Sequence, residues 1–189
     1  MKINFSWFIL TCTFVVILIG NAAAQNNDAA TETKIDQLVK KMTLEEKISM
    51  LHANGIFTTS GVERLGIPGL STDDGPLGIR EELKPGGGWT PANLTTDSAT
   101  FFPNGSAIAA TWNPSLANRY GIAIGEEARA RNKNVLLAPA FNIARTPLCG
   151  RTYEYYSEDP FLNSQLAVAA VEGIQSQHVA ACVKHFVLN

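Results

Sequence analysis

Three short uncharged runs, the second and third of them apolar, constrain this chain's fold more than any other feature. They are Leu70-Ser71-Thr72, Val135-Leu136-Leu137-Ala138-Pro139-Ala140 and Val179-Ala180-Ala181-Cys182-Val183. None alternates apolar with polar residues, as a strand with one wet face does. Continuous runs suit parallel strands covered on both faces. Between the first two runs lies a helical pattern, with Asn113 as its cap, Pro114 at the first helical position, and Leu116, Tyr120, Ile124 and Ala128 four apart. Between the last two lies another, Pro160 to Ser176, with Leu162, Leu166, Ala169, Ala170 and Ile174 on one face. Strands that alternate with helices in this way define an α/β class.

A charged cluster follows each run: Asp73-Asp74 after the first, Arg145, Arg151 and Glu154 after the second, and Lys184-His185 after the third. In α/β barrels the chemistry sits on the loops after the strand C-termini, so the three clusters are expected on one face. Residues 81–100, which contain Pro85-Gly86-Gly87-Gly88, and residues 141–159 read as long loops, a class that often carries function. Upstream, Ile35, Leu38, Val39 and Met42 recur at helical spacing. Thr43-Leu44-Glu45-Glu46 then reads as a capping box for a second helix, with Gly55 as a stop.

Composition narrows the function classes. Fifteen Lys and Arg face seventeen Asp and Glu, which argues against a nucleic-acid partner. Hydrophobic residues at 46% argue against disorder. Met1-Lys2-Ile3-Asn4, the uncharged run Phe5 to Ile19 and the ending Ala22-Ala23-Ala24 read as a secretory signal. That run falls short of the roughly 20 residues a membrane span needs. The expectation is a signal over residues 1–24, a flexible lead-in over 25–33 and a folded domain over 34–189. The protein would be secreted or periplasmic, with no membrane association after signal cleavage.

Single residues carry further expectations. Cys149 and Cys182 suit either a disulfide or two free thiols, and Cys182, inside an apolar run, is expected to be buried. No His or Cys stands at ligand spacing around His185, so no metal and no cofactor are expected. His52 and His178 read as surface residues. Trp112, just before a helix cap, is expected in the core, whereas Trp89 in the Gly-rich loop suits stacking at a pocket rim. Glu158 and Asp159 precede Pro160 and are expected to cap its helix.

Six segments, taken together, resemble the N-terminal domain of glycoside hydrolase family 3, in its β-glucosidase and β-xylosidase branch. They are Met42-Thr43-Leu44-Glu45-Glu46-Lys47-Ile48; Thr72-Asp73-Asp74-Gly75-Pro76-Leu77-Gly78-Ile79-Arg80; Gly125-Glu126-Glu127-Ala128-Arg129; Val135-Leu136-Leu137-Ala138-Pro139; Gly150-Arg151-Thr152-Tyr153-Glu154 with Ser157-Glu158-Asp159-Pro160; and Lys184-His185-Phe186. Each is weak alone, but six in the family's order are specific. The N-acetylglucosaminidase branch carries a His-rich stretch after Lys-His-Phe, where this chain has Val187-Leu188-Asn189.

The resemblance implies a TIM-type (β/α)8 barrel, of which these residues form an incomplete N-terminal part. Such a barrel needs roughly 250 residues, and the chain has 189 with its leader included. It also implies hydrolysis, with retention, of terminal non-reducing β-D-glucosyl residues from an oligosaccharide or β-glucoside. Asp74, Arg80, Arg151, Lys184 and His185 take substrate-binding roles in that picture, and Glu154 orients Arg151. The nucleophilic Asp and the acid/base are expected downstream of residue 189, so the fragment alone is expected to be inactive. The chemistry is consistent: a carboxylate accepts bonds from vicinal hydroxyls, and charged donors bind their oxygens about twice as strongly as neutral ones. A β-xylosidase of the same family, or a non-catalytic carbohydrate-binding module, is the alternative reading.

Overall fold

The structure, a computed structural model, describes residues 29–94 and 98–187; the secretory signal read at residues 1–24 lies outside them. The described residues divide into two compact units, residues 29–48 with 64–66, and residues 49–63 with 67–94 and 98–187.

In the first unit, helix α1 (residues 29–41) starts inside the stretch read as a flexible lead-in. The Thr33 hydroxyl donates to the Ala29 carbonyl one turn back, at 2.8 Å. Helix α2 (Leu44–Met50) opens on the expected capping box. The Glu46 N–H donates to Thr43 Oγ1 at 3.2 Å, while Thr43's own N–H donates to Glu46 Oε2 at 2.8 Å. Arg64 forks onto both Glu46 oxygens at 2.6 Å and donates to the Lys41 carbonyl at 2.8 Å. The apolar side chains of Ile35, Val39, Leu44 and Ile48 remain exposed.

The second unit is built on a parallel sheet of β1 (Thr72–Asp74), β2 (Val135–Leu137) and β3 (Ala180–Ala181), in that order. Asp74 pairs with Leu137 and Leu136 pairs with Ala181. The first strand begins two residues later than apolar content alone suggests. Leu70 is committed elsewhere: its carbonyl accepts from the Thr59 N–H at 2.9 Å, and its N–H donates to Thr59 Oγ1 at 3.2 Å. Beyond the ladder, the Lys184 N–H donates to the Pro139 carbonyl at 3.1 Å and the Phe141 N–H to the Lys184 carbonyl at 2.9 Å. These bonds carry the β2–β3 pairing on to Lys184.

Two helices cover the sheet. In α4 (Pro114–Ala130), the Asn113 side chain accepts from the Leu116 N–H at 3.2 Å. In α5 (Pro160–Gln175), the Asp159 side chain accepts from the Phe161 N–H at 2.9 Å. Ile124 and Ala128 of α4, Leu166 and Ile174 of α5, and Leu136 of β2 are fully buried in one core. The helices touch backbone to backbone. A Cβ on Gly121 would stand 2.3 Å from the Ala170 carbonyl oxygen, and one on Gly173 would stand 2.3 Å from that of Asn118. A short helix, α3 (Gly105–Ala109), capped by Asn104, has no periodic signature in the sequence.

Two expectations fail here. Trp112 is 71% exposed rather than in the core. Its N–H closes the end of α3 on the Ala109 carbonyl at 3.0 Å, and its φ of 53° falls in the left-handed region, so the turn turns its ring out to solvent. Cys182 is also exposed, although its N–H still donates to the Leu136 carbonyl at 2.9 Å, and Cys149 and Cys182 are both free thiols. His52 and His178 are exposed as expected. Among the described residues, no helix is long and apolar enough to cross a membrane.

The helix contact yields a test. Gly121→Ala is expected to cost roughly 1–3 kcal/mol, the usual range for overpacking, read as a lower urea midpoint. Gly150→Ala, where an added Cβ meets nothing within 4 Å, is expected to leave the midpoint unchanged.

Candidate functional site

The parallel register sets the strand ends side by side, and the loops after them carry the charged groups. β1 ends at Asp74, and the chain then turns through Gly75. A Cβ on Gly75 would overlap the Gly78 carbonyl oxygen at 1.9 Å, so this turn admits only glycine. The buried Tyr120 of α4 donates its hydroxyl to the Pro76 carbonyl at 2.7 Å, tying the turn to the core. The Asp74 carboxylate forms an ion pair with the Lys184 ammonium through Oδ1. It remains 41% exposed while the Lys184 side chain is 14% exposed, so the acid faces outward on a largely covered cation.

The next residue, His185, is clamped through its backbone. Its N–H donates to Asn142 Oδ1 at 2.5 Å, and Asn142 Nδ2 donates to its carbonyl at 2.9 Å. Its ring meets Arg151, whose Nη2 lies 2.8 Å from His185 Nε2. A guanidinium only donates, so Nε2 accepts, and a neutral ring carries its proton on Nδ1. Nδ1 then faces the Tyr155 hydroxyl at 3.3 Å. Burial holds the imidazole below its usual pKa range, with the Arg151 and Lys184 charges adding to the depression and Glu154 and Asp74 opposing it. The neutral form that accepts from Arg151 is therefore the favoured one.

Arg151 is oriented from its other side. Nε donates to Glu154 Oε1 at 2.7 Å and Nη2 to Oε2 at 2.9 Å, a two-bond fork that fixes the guanidinium plane. The Glu154 side chain is 7% exposed. This bond to Glu154 holds the Arg151 pKa above its ordinary value. The segment is anchored from below: Ser106 Oγ donates to the Tyr155 carbonyl at 2.9 Å, and Tyr156 stacks on Phe141 with centroids 4.0 Å apart. Asp74, Arg151, Glu154, Lys184 and His185 thus form one connected cluster at the ends of the three strands.

Arg80 does not join that cluster through any contact among the described residues. Its guanidinium lies over the Phe57 ring at 5.7 Å and the Trp89 ring at 5.1 Å, and Trp89 meets Phe57 edge-on at 5.6 Å. Trp89 is 64% exposed, so its stacking partner in this structure is a guanidinium. Arg145 is exposed and Glu158 stands outside the helix cap, which Asp159 makes alone.

Asp73 projects to the opposite face of β1 from Asp74, as alternate residues of a strand do. It is buried beside Lys133, whose Nζ lies 3.6 Å from Asp73 Oδ2 and 2.7 Å from Glu82 Oε1. Burial pushes the Asp73 carboxyl up to about 6, against the pull of Lys133, and Glu82 adds to the rise. Sequence reasoning missed Lys133, Asn142 and Tyr155. A single cation just before an uncharged strand was a legible signal for Lys133; Asn142 and Tyr155 carry none. Among the described residues, no group of three or more His, Cys, Asp or Glu side chains is placed to hold a metal ion.

A carboxylate on a covered ammonium, beside a fixed guanidinium and a neutral imidazole, can bind vicinal hydroxyls as both acceptor and donor. Comparison with known proteins finds relatives of the whole described domain. The family model described as the glycosyl hydrolase family 3 N-terminal domain matches residues 23–188. The β-glucosidase BoGH3A of Bacteroides ovatus is 45% identical, across 96% of this chain and 26% of that protein. The exo-α-(1→6)-L-arabinopyranosidase of Bifidobacterium breve is 42% identical, across 80% of this chain and 20% of that protein. The structure of β-glucosidase 3B from Thermotoga neapolitana in complex with glucose superposes with a TM-score of 0.74 at 40% identity, across 82% of this chain and 23% of that one. The chain therefore spans about a quarter or less of the length of the relatives it matches.

The imidazole gives the test for this site. His185 is expected to titrate below its ordinary value of 6.5 when its ring protons are followed by NMR. Arg151→Met is expected to return part of that shift, because burial, its largest cause, remains. A midpoint at or above the ordinary value in the unaltered protein would overturn the assignment of a neutral, accepting Nε2.

Proposed function

This chain belongs to glycosyl hydrolase family 3 through its N-terminal domain, and from that premise we propose that the full-length protein is an exported β-glucosidase. It releases terminal non-reducing β-D-glucosyl residues with retention. The observation that carries this reading is the Asp74–Lys184 ion pair set beside the Arg151–His185 contact at the strand ends. Asp74 accepts hydrogen bonds from two sugar hydroxyls. Lys184, Arg151 and the Nδ1–H side of His185 supply donors around the same ring. Glu154 keeps the Arg151 fork in place. Arg80 reaches the sugar by leaving its position between Phe57 and Trp89.

The three strands are the opening part of a TIM-type barrel, a reading supported by the β-glucosidase structures that share this fold at 0.74. The residues described here serve the sugar. The Asp that attacks the anomeric carbon and the acid that protonates the leaving oxygen come from outside them, in the two-carboxylate scheme of retaining enzymes. Export rests on the leader pattern of residues 1–24. A pentoside substrate is the second reading, favoured by the arabinopyranosidase among the relatives at nearly the same identity.

Asp74→Ala in the full-length protein is expected to lower kcat/KM on an aryl β-glucoside by roughly 10²-fold or more, since each bond to a charged group contributes about 1.5–3 kcal/mol. An unchanged kcat/KM would sink the role given to Asp74. The ratio of kcat/KM for aryl β-glucoside over aryl β-xyloside is expected to exceed one; a ratio below one establishes the pentoside reading.

A further inference from the structure

Asp73 and Asp74 are neighbours in β1 with opposite surroundings. Asp74 is open and paired with Lys184, whereas Asp73 is buried and faces Lys133. Lys133 enters β2 two residues before Val135, the partner of Thr72 in the register. Its side chain is itself 9% exposed, and its ammonium reaches Glu82 more closely than Asp73. Glu82 lies on the loop that carries Arg80 and Trp89. One ammonium thus joins three parts of the chain: the strand that holds Asp74, the start of β2, and the loop that holds Arg80. These groups line a cavity of about 450 Å³, whose charged members are Asp73, Arg80, Glu81, Glu82, Lys84 and Lys133.

We propose that Lys133 is a positioning residue for sugar binding: its ammonium, held between Asp73 and Glu82, sets Asp74 through β1 and Arg80 through the loop. The proposal rests on the reading of Asp74 and Arg80 as sugar ligands. Lys133 itself touches no sugar. Its removal takes away the charge that holds the buried Asp73 pKa down, so above that pKa the acid must stay ionised without a partner or take up a proton, and either costs stability. The strand end is then expected to shift, and Asp74 with it. The loop is expected to lose its tether at Glu82. Such a displacement weakens ground-state and transition-state binding alike, so it raises KM more than it lowers kcat.

The test uses the full-length enzyme and an aryl β-glucoside. Lys133→Met is expected to raise KM about tenfold near pH 7.5, well short of the roughly hundredfold that a misplacement of an ångström can cost. Near pH 5 the increase is expected to shrink to about twofold. There Asp73, whose pKa of about 6 beside Lys133 rises further once that cation is removed, carries a proton in both proteins and needs no counter-charge. Lys133→Arg is expected to restore KM. Glu82→Gln, at a partly exposed position, cuts only the loop side and is expected to raise KM severalfold with little dependence on pH. It decides the matter if Lys133→Met does not fold. Wild-type KM and pH profile in whichever of these variants fold overturn the proposal. An unaltered enzyme that cleaves no glycoside overturns the functional reading instead, and the two failures are distinct.

Discussion

Asp74 and Lys184 stand 110 positions apart in the chain, and the parallel register of three short strands is what brings them into one ion pair. The strands themselves are two or three residues long, too short to hold that register by ladder bonds alone. For the central strand β2, what holds it is burial. Leu136 at the centre of β2 is fully covered by α4 and α5, and those helices approach until backbone meets backbone at Gly121 and Gly173. Dispersion and the removal of apolar surface from water thus fix the sheet. The sheet fixes the loops, and the loops set the charges.

The charges at the strand ends are arranged so that each has a reason to stay where it is. Lys184 is covered and spends its charge on Asp74. Arg151 is forked by a buried Glu154 through Nε and Nη2, and the same Nη2 meets His185. Burial and then the Arg151 and Lys184 charges lower the His185 pKa and favour its neutral ring. A positive imidazole here would face two cations and lose its ability to accept from Arg151. The result is a cluster whose side chains already hold one another before any ligand arrives, which reduces the ordering cost that binding has to overcome.

Much of this was legible in the residues. Asn113-Pro114 and Asp159-Pro160 announce helix starts, since cap and proline chemistry act locally. Thr43 and Glu46 announce another, and all three form as read. Asp74, Arg151, Glu154, Lys184 and His185 converge because parallel strands point one way, whereas Asp73 faces the other side and Arg145 stays outside the cluster. The reading ran out where a residue's fate depends on distant chain. Leu70 looks like strand, but Thr59 takes its backbone groups. Trp112 looks like core, but the end of α3 places it in a left-handed turn that faces water. Arg80 sits where the motif puts it along the chain. Its aromatic partners are Phe57, from a separate loop, and Trp89, further along its own loop, and no local pattern pairs them with Arg80.

The Asp73-Asp74 pair shows how a strand turns sequence identity into difference. Side chains alternate between faces, so two identical neighbours meet unlike surroundings. A slip of one residue would exchange them, sending the open acid into the site beside Lys133 and the buried one towards Lys184. Hydrophobic burial hardly opposes such a slip, because Thr72-Asp73-Asp74 contains no large apolar side chain. The two ion pairs do oppose it. Lys133 enters just before β2 and Lys184 follows β3, so each ammonium is fixed by a different strand and faces a different side of β1. Buried charges are weak contributors to net stability but well suited to choosing one register over another. In β1, where apolar content is silent, that choice falls to Lys133 and Lys184.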